Sequence, residues 1–216
     1  HPDPSGWPSV PVFDYSAYGD VDAFARHPDD SGIRLGGVGL LRALPEEVDA
    51  VVSLCRLGAD EVPAPGVAPE DHVEVWLVDS DDPDANPHLQ HVLRQAADAV
   101  ADLRREGRTV LLHCVQAQSR TPTVAALVSA RHLGYPHVEA VDHVCEALPG
   151  AHPNRAFRDA VAAAAPRCPE CDAVLLPIWY GLLPEDPGPG VLVGGCVVSD
   201  DDPTHGCTAC EWRGRP

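Results

Sequence analysis

A cysteine and an arginine separated by five residues are the pair in this chain whose types and spacing best suit phosphate chemistry. Cys114 and Arg120 lie between an apolar run typical of a buried strand and a second apolar stretch with helical spacing. In such a strand-to-helix loop, backbone N–H groups can surround a phosphate while the helix N-terminus adds partial positive charge. The predicted phosphate-binding loop consists of Val115, Gln116, Ala117, Gln118, Ser119 and Arg120.

The polar groups around this loop each have an expected part in phosphoryl transfer. Arg120 can hold two phosphate oxygens in a bidentate fork, and the positive surroundings favour a Cys114 thiolate that attacks phosphorus. We expect Thr121 to stabilise the departing thiolate with its hydroxyl, and His113 to orient the loop through its ring nitrogens rather than to act as a base. Two other interpretations remain open: a buried cysteine and a salt-bridging arginine at this spacing by coincidence, and a loop that binds phosphate without turnover.

The segment from His113 to Thr121 closely resembles the signature of the dual-specificity protein tyrosine phosphatases. The resemblance extends from about 33 to 164 and includes the helix start Pro153-Asn154-x-x-Phe157. It implies a compact α/β domain acting on phosphotyrosine, with or without phosphoserine and phosphothreonine, and using no cofactor for catalysis. Ala117 departs from the pattern, because the family usually has glycine at this position. If the residue needs a positive φ, alanine costs roughly 1–2 kcal/mol there and activity on standard substrates would be low.

The reaction also needs an acid that protonates the leaving oxygen. The resemblance implies an aspartate just after the strand that precedes the long helix, where the sequence reads Asp79-Ser80-Asp81-Asp82-Pro83-Asp84. Family spacing relative to Asn86 selects Asp81, whereas the phase of the preceding strand favours Asp79. We predict Asp81 as the acid with Asp79 as the alternative. The remaining aspartates are expected to form a solvated loop or a fortuitous cation site.

Four of the eight cysteines form two C-x-x-C pairs. The spacing of these pairs is typical of a zinc ribbon with an all-thiolate tetrahedral site. The segment that contains them is rich in proline and glycine and too small to bury a core unaided, so bound zinc would supply its folding energy. A redox dithiol is the alternative for either pair. The predicted zinc ligands are Cys168, Cys171, Cys207 and Cys210.

Apolar runs alternate with helical patterns along most of the chain, which predicts a mostly parallel central sheet covered by helices on both faces. The predicted strands are 33–35, 48–54, 73–78 and 109–112, and the predicted helices are 86–106, 121–133, 138–148 and 154–164. Beyond 165, proline and glycine exclude long helices, and short ribbon strands are predicted at 174–177, 191–193 and 196–198. We therefore expect a phosphatase domain at 1–165, with a loosely ordered lead-in at 1–30, and a zinc ribbon at 166–216.

Five individual residues carry expectations that depend on these elements. Asn86 is the predicted N-cap of the long helix, with Pro87 at the first helical position. Cys55 and Cys196 are expected to be small buried residues. His72 is expected to lie on the surface.

Composition and charge exclude several classes of partner. The 216-residue chain has a formal net charge of −18, so it has no general attraction for nucleic acid or for an anionic membrane. No apolar run approaches the roughly 20 residues of a membrane helix, and the first residues lack the pattern of a signal peptide. Paired cysteines of this kind are more typical of metal ligands than of a disulfide framework. We expect a reducing, cytoplasmic location.

The expected function is hydrolysis of phosphomonoesters through a phosphocysteine intermediate, with a phosphorylated protein or a small phosphomonoester as substrate. Dual-specificity phosphatase activity, mainly on phosphotyrosine, is the leading prediction. The alternatives are a phosphatase of a non-protein phosphomonoester and a non-catalytic phosphate-binding module whose zinc ribbon docks a protein partner. No nucleic-acid partner is expected, because the ribbon has few basic residues and an acidic run at 200–202.

Overall fold

The computed structural model describes residues 10–19, 22–181 and 190–216, and a five-stranded sheet lies at its centre. The strands are β1 (Phe24–Arg26), β2 (Ile33–Gly36), β3 (Ala50–Ser53), β4 (His72–Glu74) and β5 (Val110–His113). Their order across the sheet is β1-β2-β5-β3-β4. β1 pairs antiparallel with β2, whereas the other neighbours are parallel. The predicted mostly parallel sheet is confirmed.

The central strand β5 positions the candidate site. It lies between β2 and β3, and all four of its residues are buried. A strand covered on both faces reads as a continuous apolar run, which is why Val110-Leu111-Leu112 could be recognised in the sequence. His113 ends the strand at the carboxyl edge of the sheet, the edge at which open α/β sheets bind their ligands.

The α-helices pack on one face of this sheet. They are α1 (Leu89–Arg105), α2 (Arg120–His132), α3 (His137–Ala147) and α4 (Arg155–Ala163). All four contribute to one apolar core together with alternate residues of β2, β3 and β5. Gly107 and Gly134 follow α1 and α2 with φ values of 86° and 76°, and thus end them as predicted. Among the described residues, no helix combines the length and the apolar character needed to span a bilayer.

The opposite face is covered by irregular structure, which corrects the expectation of helices on both sides. Val51 and Leu111 point to this face and pack against the 3-10 helix Val38–Arg42 and the connection that follows β3. That connection, residues 55–71, leads to the parallel strand β4. It contains three prolines and two glycines, which explains why it forms no α-helix.

Part of the predicted loosely ordered lead-in is ordered. Residues Phe24–Arg26 pair with β2, and the carbonyls of Val10 and Pro11 accept hydrogen bonds from the backbone of Ala59 and Asp60. These contacts join segments far apart in sequence, so local composition could not reveal them. Residues 1–9, 20 and 21 of the lead-in lie outside the described residues.

The long helix begins at Leu89 rather than at Asn86, and His88 occupies its N-cap position. The side chain of Asn86 instead pairs with the backbone of Val78, donating to the carbonyl at 2.8 Å and accepting from the N–H at 3.1 Å. Asn86 therefore closes the acidic loop 79–85 instead of capping a helix.

A second, four-stranded sheet lies in the C-terminal part of the chain, between and beside the cysteine pairs. Its strands are β6 (Leu176–Tyr180), β7 (Leu192–Gly195), β8 (His205–Gly206) and β9 (Arg213–Gly214), in the order β7-β6-β8-β9. The predicted strand at 196–198 is wrong, since Cys196 is exposed and Val197 is 84% exposed. The pairing of β8 with β9 was not predicted, because strands of two residues carry no periodic pattern. Residues 182–189, next to these strands, lie outside the described ranges.

Candidate active site

The predicted phosphate loop leaves β5 at His113 and enters α2 at Arg120. Cys114 is 1% exposed, and Ala117 has a φ of 58°, the left-handed conformation anticipated for the position where alanine replaces glycine. Backbone N–H groups of Val38 and His152 donate to the carbonyls of Val115 and Gln118 at 3.0 and 2.7 Å. These bonds direct loop carbonyls to the surrounding structure, as a loop that binds an anion with its N–H groups requires.

Arg120 is held by backbone carbonyls from two neighbouring segments. Its Nη1 donates to the carbonyl of Leu54 at 3.2 Å and to that of Leu77 at 3.0 Å. Its Nε is buried and has no hydrogen-bond partner among the described residues, while Oδ2 of Asp79 lies 3.9 Å away. A buried N–H without a partner costs about 1–3 kcal/mol. This donor is therefore suited to an anionic oxygen that arrives from solution.

A pocket of about 350 Å³ lies against the loop and the guanidinium of Arg120. Its volume is in the range of small-molecule sites. One carboxylate, that of Asp79, also lines it. The other lining residues are Tyr15, Tyr18, Cys55, Arg56, Trp76, Leu77, Val78, Val115 and Gln116.

Both Cys114 and Arg120 affect the pKa of the Cys55 thiol. Burial raises the pKa of Cys55 to about 12; the charge of Arg120 lowers this pKa and the neighbouring Cys114 raises it. Cys55, in the pocket wall, therefore lies near both of these residues. Cys55 is buried as predicted, but its place beside the site was not foreseen.

The structure separates the two candidate acids. Asp79 lines the pocket, and its Oδ1 accepts a hydrogen bond from the side-chain amide of Asn154 at 2.9 Å. Asp81 turns away, and its Oδ1 accepts from the backbone N–H of Ala156 in the first turn of α4 at 2.9 Å. The geometry favours Asp79 over Asp81, the residue selected by family spacing. Asn86 does not begin the helix from which that spacing was counted, and the identity of the acid stays a prediction.

His113 and Thr121 flank the loop and are both fully buried. Nδ1 of His113 lies 3.2 Å from the carbonyl of Cys114, consistent with the predicted orienting role. Burial lowers the pKa of His113 to about 3, so its ring is neutral at physiological pH. The hydroxyl of Thr121 donates to the carbonyl of Gly36 at 3.5 Å, and its role toward the thiolate stays a prediction.

We compared the chain with known protein families, curated proteins and solved structures. No protein-family model matches the sequence, and no curated protein matches it. Among solved structures, a mouse protein assigned to the dual-specificity phosphatases, in complex with zinc tungstate, is 26% identical with a TM-score of 0.52. The match covers 67% of this chain and 87% of the mouse chain. Human DUSP28 is 25% identical with a TM-score of 0.53, over 65% of this chain and 91% of its own.

The fold of this chain is similar to that of the dual-specificity phosphatases. The PTP-2 phosphatase of Cydia pomonella supports the fold alone, with a TM-score of 0.56 at 21% identity over 72% of this chain and 97% of its own. These structural neighbours are dual-specificity and tyrosine phosphatases, which supports phosphatase function at the level of the family.

The N-terminal segment 10–19 contributes to the pocket wall, a role that the sequence alone did not predict. The hydroxyl of Tyr15 donates to the carbonyl of Arg56, and the amide of Gln116 donates to the carbonyl of Tyr18. The signal was the spacing Phe13-x-Tyr15-x-x-Tyr18, because three aromatic residues within six positions are unusual in a chain with only 5% aromatic residues.

The four predicted ligand cysteines come together beside the second sheet. Their sulfur atoms lie within 4.8 Å of one another, and the closest pairs are 3.5 Å apart. Sulfur atoms at about 2.3 Å from a tetrahedral zinc would be about 3.8 Å apart, so the cluster fits that ion. The cluster could hold a metal ion.

Proposed function

We propose that this protein hydrolyses phosphomonoesters through a phosphocysteine intermediate on Cys114. The observation that carries the proposal is the buried Nε of Arg120, which has no hydrogen-bond partner among the described residues. Arg120 also lines the pocket. Two carbonyls fix Nη1, so Nε and the other terminal nitrogen are left to bind phosphate in a bidentate fork.

The reaction takes place in two steps. The thiolate of Cys114 attacks phosphorus, and the bond to the leaving oxygen breaks as Asp79 transfers its proton to that oxygen. Asp79, now ionised, takes a proton from a water molecule that attacks the phosphocysteine. The phosphorus–sulfur bond breaks, inorganic phosphate leaves, and the thiolate is restored. Asp79 is assigned as the acid because it lines the pocket and Asp81 does not.

Phosphotyrosine is the substrate that the pocket suits best, with phosphoserine and phosphothreonine as smaller alternatives. The aromatic side chains of Tyr15, Tyr18 and Trp76 line the wall beside the phosphate loop. Aromatic rings favour offset or edge-to-face contact with a phenyl ring. The pocket of about 350 Å³ is large enough for a phosphorylated side chain.

The C-terminal part, residues 166–216, is proposed to be a zinc ribbon attached to the phosphatase part, residues 1–165. Its four clustered thiols are the donor set of a structural zinc site. Bound zinc would hold together the two chain segments that contain the cysteine pairs. Apolar packing between these segments is small, because their buried cluster among the described residues consists of Cys168, Leu175 and Cys207. The zinc is structural and takes no part in catalysis.

Hydrolysis of an aryl phosphate by the purified full chain tests the function. We expect turnover by the wild type, inhibition by vanadate, and loss of turnover in Cys114→Ser. Cys145→Ser is the matched control, since it alters a thiol of α3 that does not line the pocket. Wild-type protein without turnover on aryl phosphates and phosphopeptides would refute the enzymatic proposal.

A further inference from the structure

Four hydrogen bonds in a row link the connection after β3 to the carbonyl of Cys114. The backbone N–H of Ala64 donates to Nδ1 of His72 at 2.9 Å. Nε2 of His72 lies 2.8 Å from Oγ of Ser53, which lies 2.7 Å from Nε2 of His113. Nδ1 of His113 then reaches the Cys114 carbonyl. We call the three side chains His72, Ser53 and His113 the relay.

The two ends of the relay fix the direction of every hydrogen bond in it. A backbone N–H can only donate, so Nδ1 of His72 is an acceptor and the proton of the neutral ring is on Nε2. A carbonyl can only accept, so His113 carries its proton on Nδ1 and accepts at Nε2 from the hydroxyl of Ser53. Burial lowers the pKa of His72 to about 4, and both rings are therefore neutral as this pattern requires.

The relay is buried throughout, and His72, predicted as a surface residue, is only 7% exposed. Ser53 is fully buried in β3, between apolar neighbours and beside the central strand. Burying three polar side chains in a sheet core costs free energy unless their polar atoms are hydrogen-bonded. Here each of the three side chains is hydrogen-bonded to another of them. The hydroxyl of Ser53 is the partner of both rings, and without it a buried nitrogen of each histidine would lose its hydrogen bond.

We propose that Ser53 and His72 are positioning residues of the phosphate loop, which keep His113 in the tautomer that donates to the Cys114 carbonyl. The inference rests on the proposed function for its kinetic consequence. With the carbonyl held by His113, its lone pairs are directed away from the thiolate and the incoming phosphate. Hydrogen bonds aligned in one direction also polarise and strengthen one another.

The tautomers are measurable without any activity. Long-range proton–nitrogen NMR on histidine-labelled protein distinguishes Nδ1–H from Nε2–H rings, and His72→Gln and His113→Gln assign the two sets of signals. We expect the Nε2–H form for His72 and the Nδ1–H form for His113, and in Ser53→Ala a change in the His113 signals. The opposite tautomer at either histidine, or a charged ring at neutral pH, would overturn the relay.

The kinetic test compares two variants of Ser53 with a control variant of Ser129. Ser53→Ala removes the hydroxyl and should lower kcat for an aryl phosphate by roughly five- to tenfold with a smaller change in KM. Ser53→Thr retains the hydroxyl and should restore most of the rate. Ser129→Ala is the control, because it removes an equally buried hydroxyl that donates to Asp29 at 2.6 Å, remote from the loop. Its kcat should equal that of the wild type.

The outcomes separate the relay from the proposed function. An active wild type whose kcat is unchanged in Ser53→Ala overturns the relay and leaves the phosphatase standing. Equal losses in Ser53→Ala and Ser129→Ala would assign the effect to stability and also overturn it. If the wild type hydrolyses nothing, the proposed function fails, and the histidine tautomers alone decide whether the relay exists.

Discussion

The carboxylate of Asp79 accepts a hydrogen bond from the side-chain amide of Asn154 at 2.9 Å. Asn154 is also the N-cap of α4, with its Oδ1 accepting from the N–H of Phe157, and its own backbone N–H lies 3.3 Å from Oγ of Ser119 in the phosphate loop. One residue thus connects the acidic loop, α4 and the phosphate loop. The contact places the Asp79 carboxylate at the pocket, where a general acid has to lie.

Asp79→Asn should lower kcat by about 100-fold or more, because general acid catalysis contributes roughly 10²–10⁴. The loss should be larger for phenyl phosphate than for p-nitrophenyl phosphate, whose leaving group needs less protonation. Steady-state kinetics on both substrates measures this. Asp81→Asn is the matched control and should leave kcat close to that of the wild type.

The melting temperature Tm tests the structural role of Asp81. Asp81 accepts from the N–H of Ala156 in the first turn of α4. Asparagine keeps an oxygen that can accept this bond, whereas Asp81→Ala removes the acceptor and should cost about 0.5–2 kcal/mol. In a chain of this size, each 1 kcal/mol lowers Tm by about 2–4 °C. A larger loss of kcat in Asp81→Asn than in Asp79→Asn would reverse the assignment.

Ala117→Gly should change the free energy of unfolding by no more than about 1 kcal/mol. Glycine relieves roughly 1–2 kcal/mol of strain at the φ of 58°, but it adds unfolded-chain entropy and loses a buried methyl group. Ala126→Gly is the control within α2, where the helical φ gives no such relief and a loss of about 1–2 kcal/mol is expected. Equal losses in urea denaturation would contradict the strain at Ala117.

Stability should fall as the pH drops from about 6.5 toward 4. His72 and His113 have folded pKa values of about 4 and about 3, below the usual 6.5, so in this window the unfolded chain binds protons that the folded chain does not. Each such histidine contributes a slope of about 1.4 kcal/mol per pH unit. Urea denaturation between pH 7 and 5 measures it.

The contribution of one buried histidine follows from a pair of variants. His72→Gln should flatten the pH dependence of the unfolding free energy, since one neutral buried ring is lost. His88→Gln, at an exposed position, should leave the slope unchanged. The same slope in all three proteins would contradict the burial of His72 as a neutral ring.

Elemental analysis should find about one zinc per chain, and removal of that zinc with a chelator should unfold the ribbon without abolishing hydrolysis. Trp212 packs against the cysteine cluster, so tryptophan fluorescence should report the loss. Cys168→Ser should weaken zinc binding strongly, whereas Cys196→Ser, an exposed cysteine outside the cluster, should not. A metal-free chain with an unchanged fluorescence spectrum would contradict the zinc site.

The sequence predicted the elements that carry strong local patterns. The apolar strand β5, the helix that begins at Arg120 and the loop between them are where the pattern placed them, and the positive φ of Ala117 follows from the residue type that it replaces. The cysteine pairs predicted their own cluster, because two short knuckles fix the ligand spacing.

Features that depend on long-range contacts were beyond the sequence. Asp79 could not be separated from Asp81 until the side chain of Asn86 was found on Val78 rather than at a helix start. Tyr15 lines the pocket and His72 contacts Ser53 only because distant segments of the chain fold together. The aromatic spacing around Tyr15 marks that segment but not its position, and His72 has no local pattern that predicts its contact.

Detection of the intermediate tests the central claim most directly. The wild type is mixed with an aryl phosphate and quenched in acid during turnover, and the peptide that contains residue 114 is analysed by mass spectrometry. We predict a phosphate bound to Cys114 in the wild type and none at this position in Cys114→Ser, which should also be inactive. Turnover in Cys114→Ser, or wild-type hydrolysis with the phosphate trapped on another residue, would contradict the account.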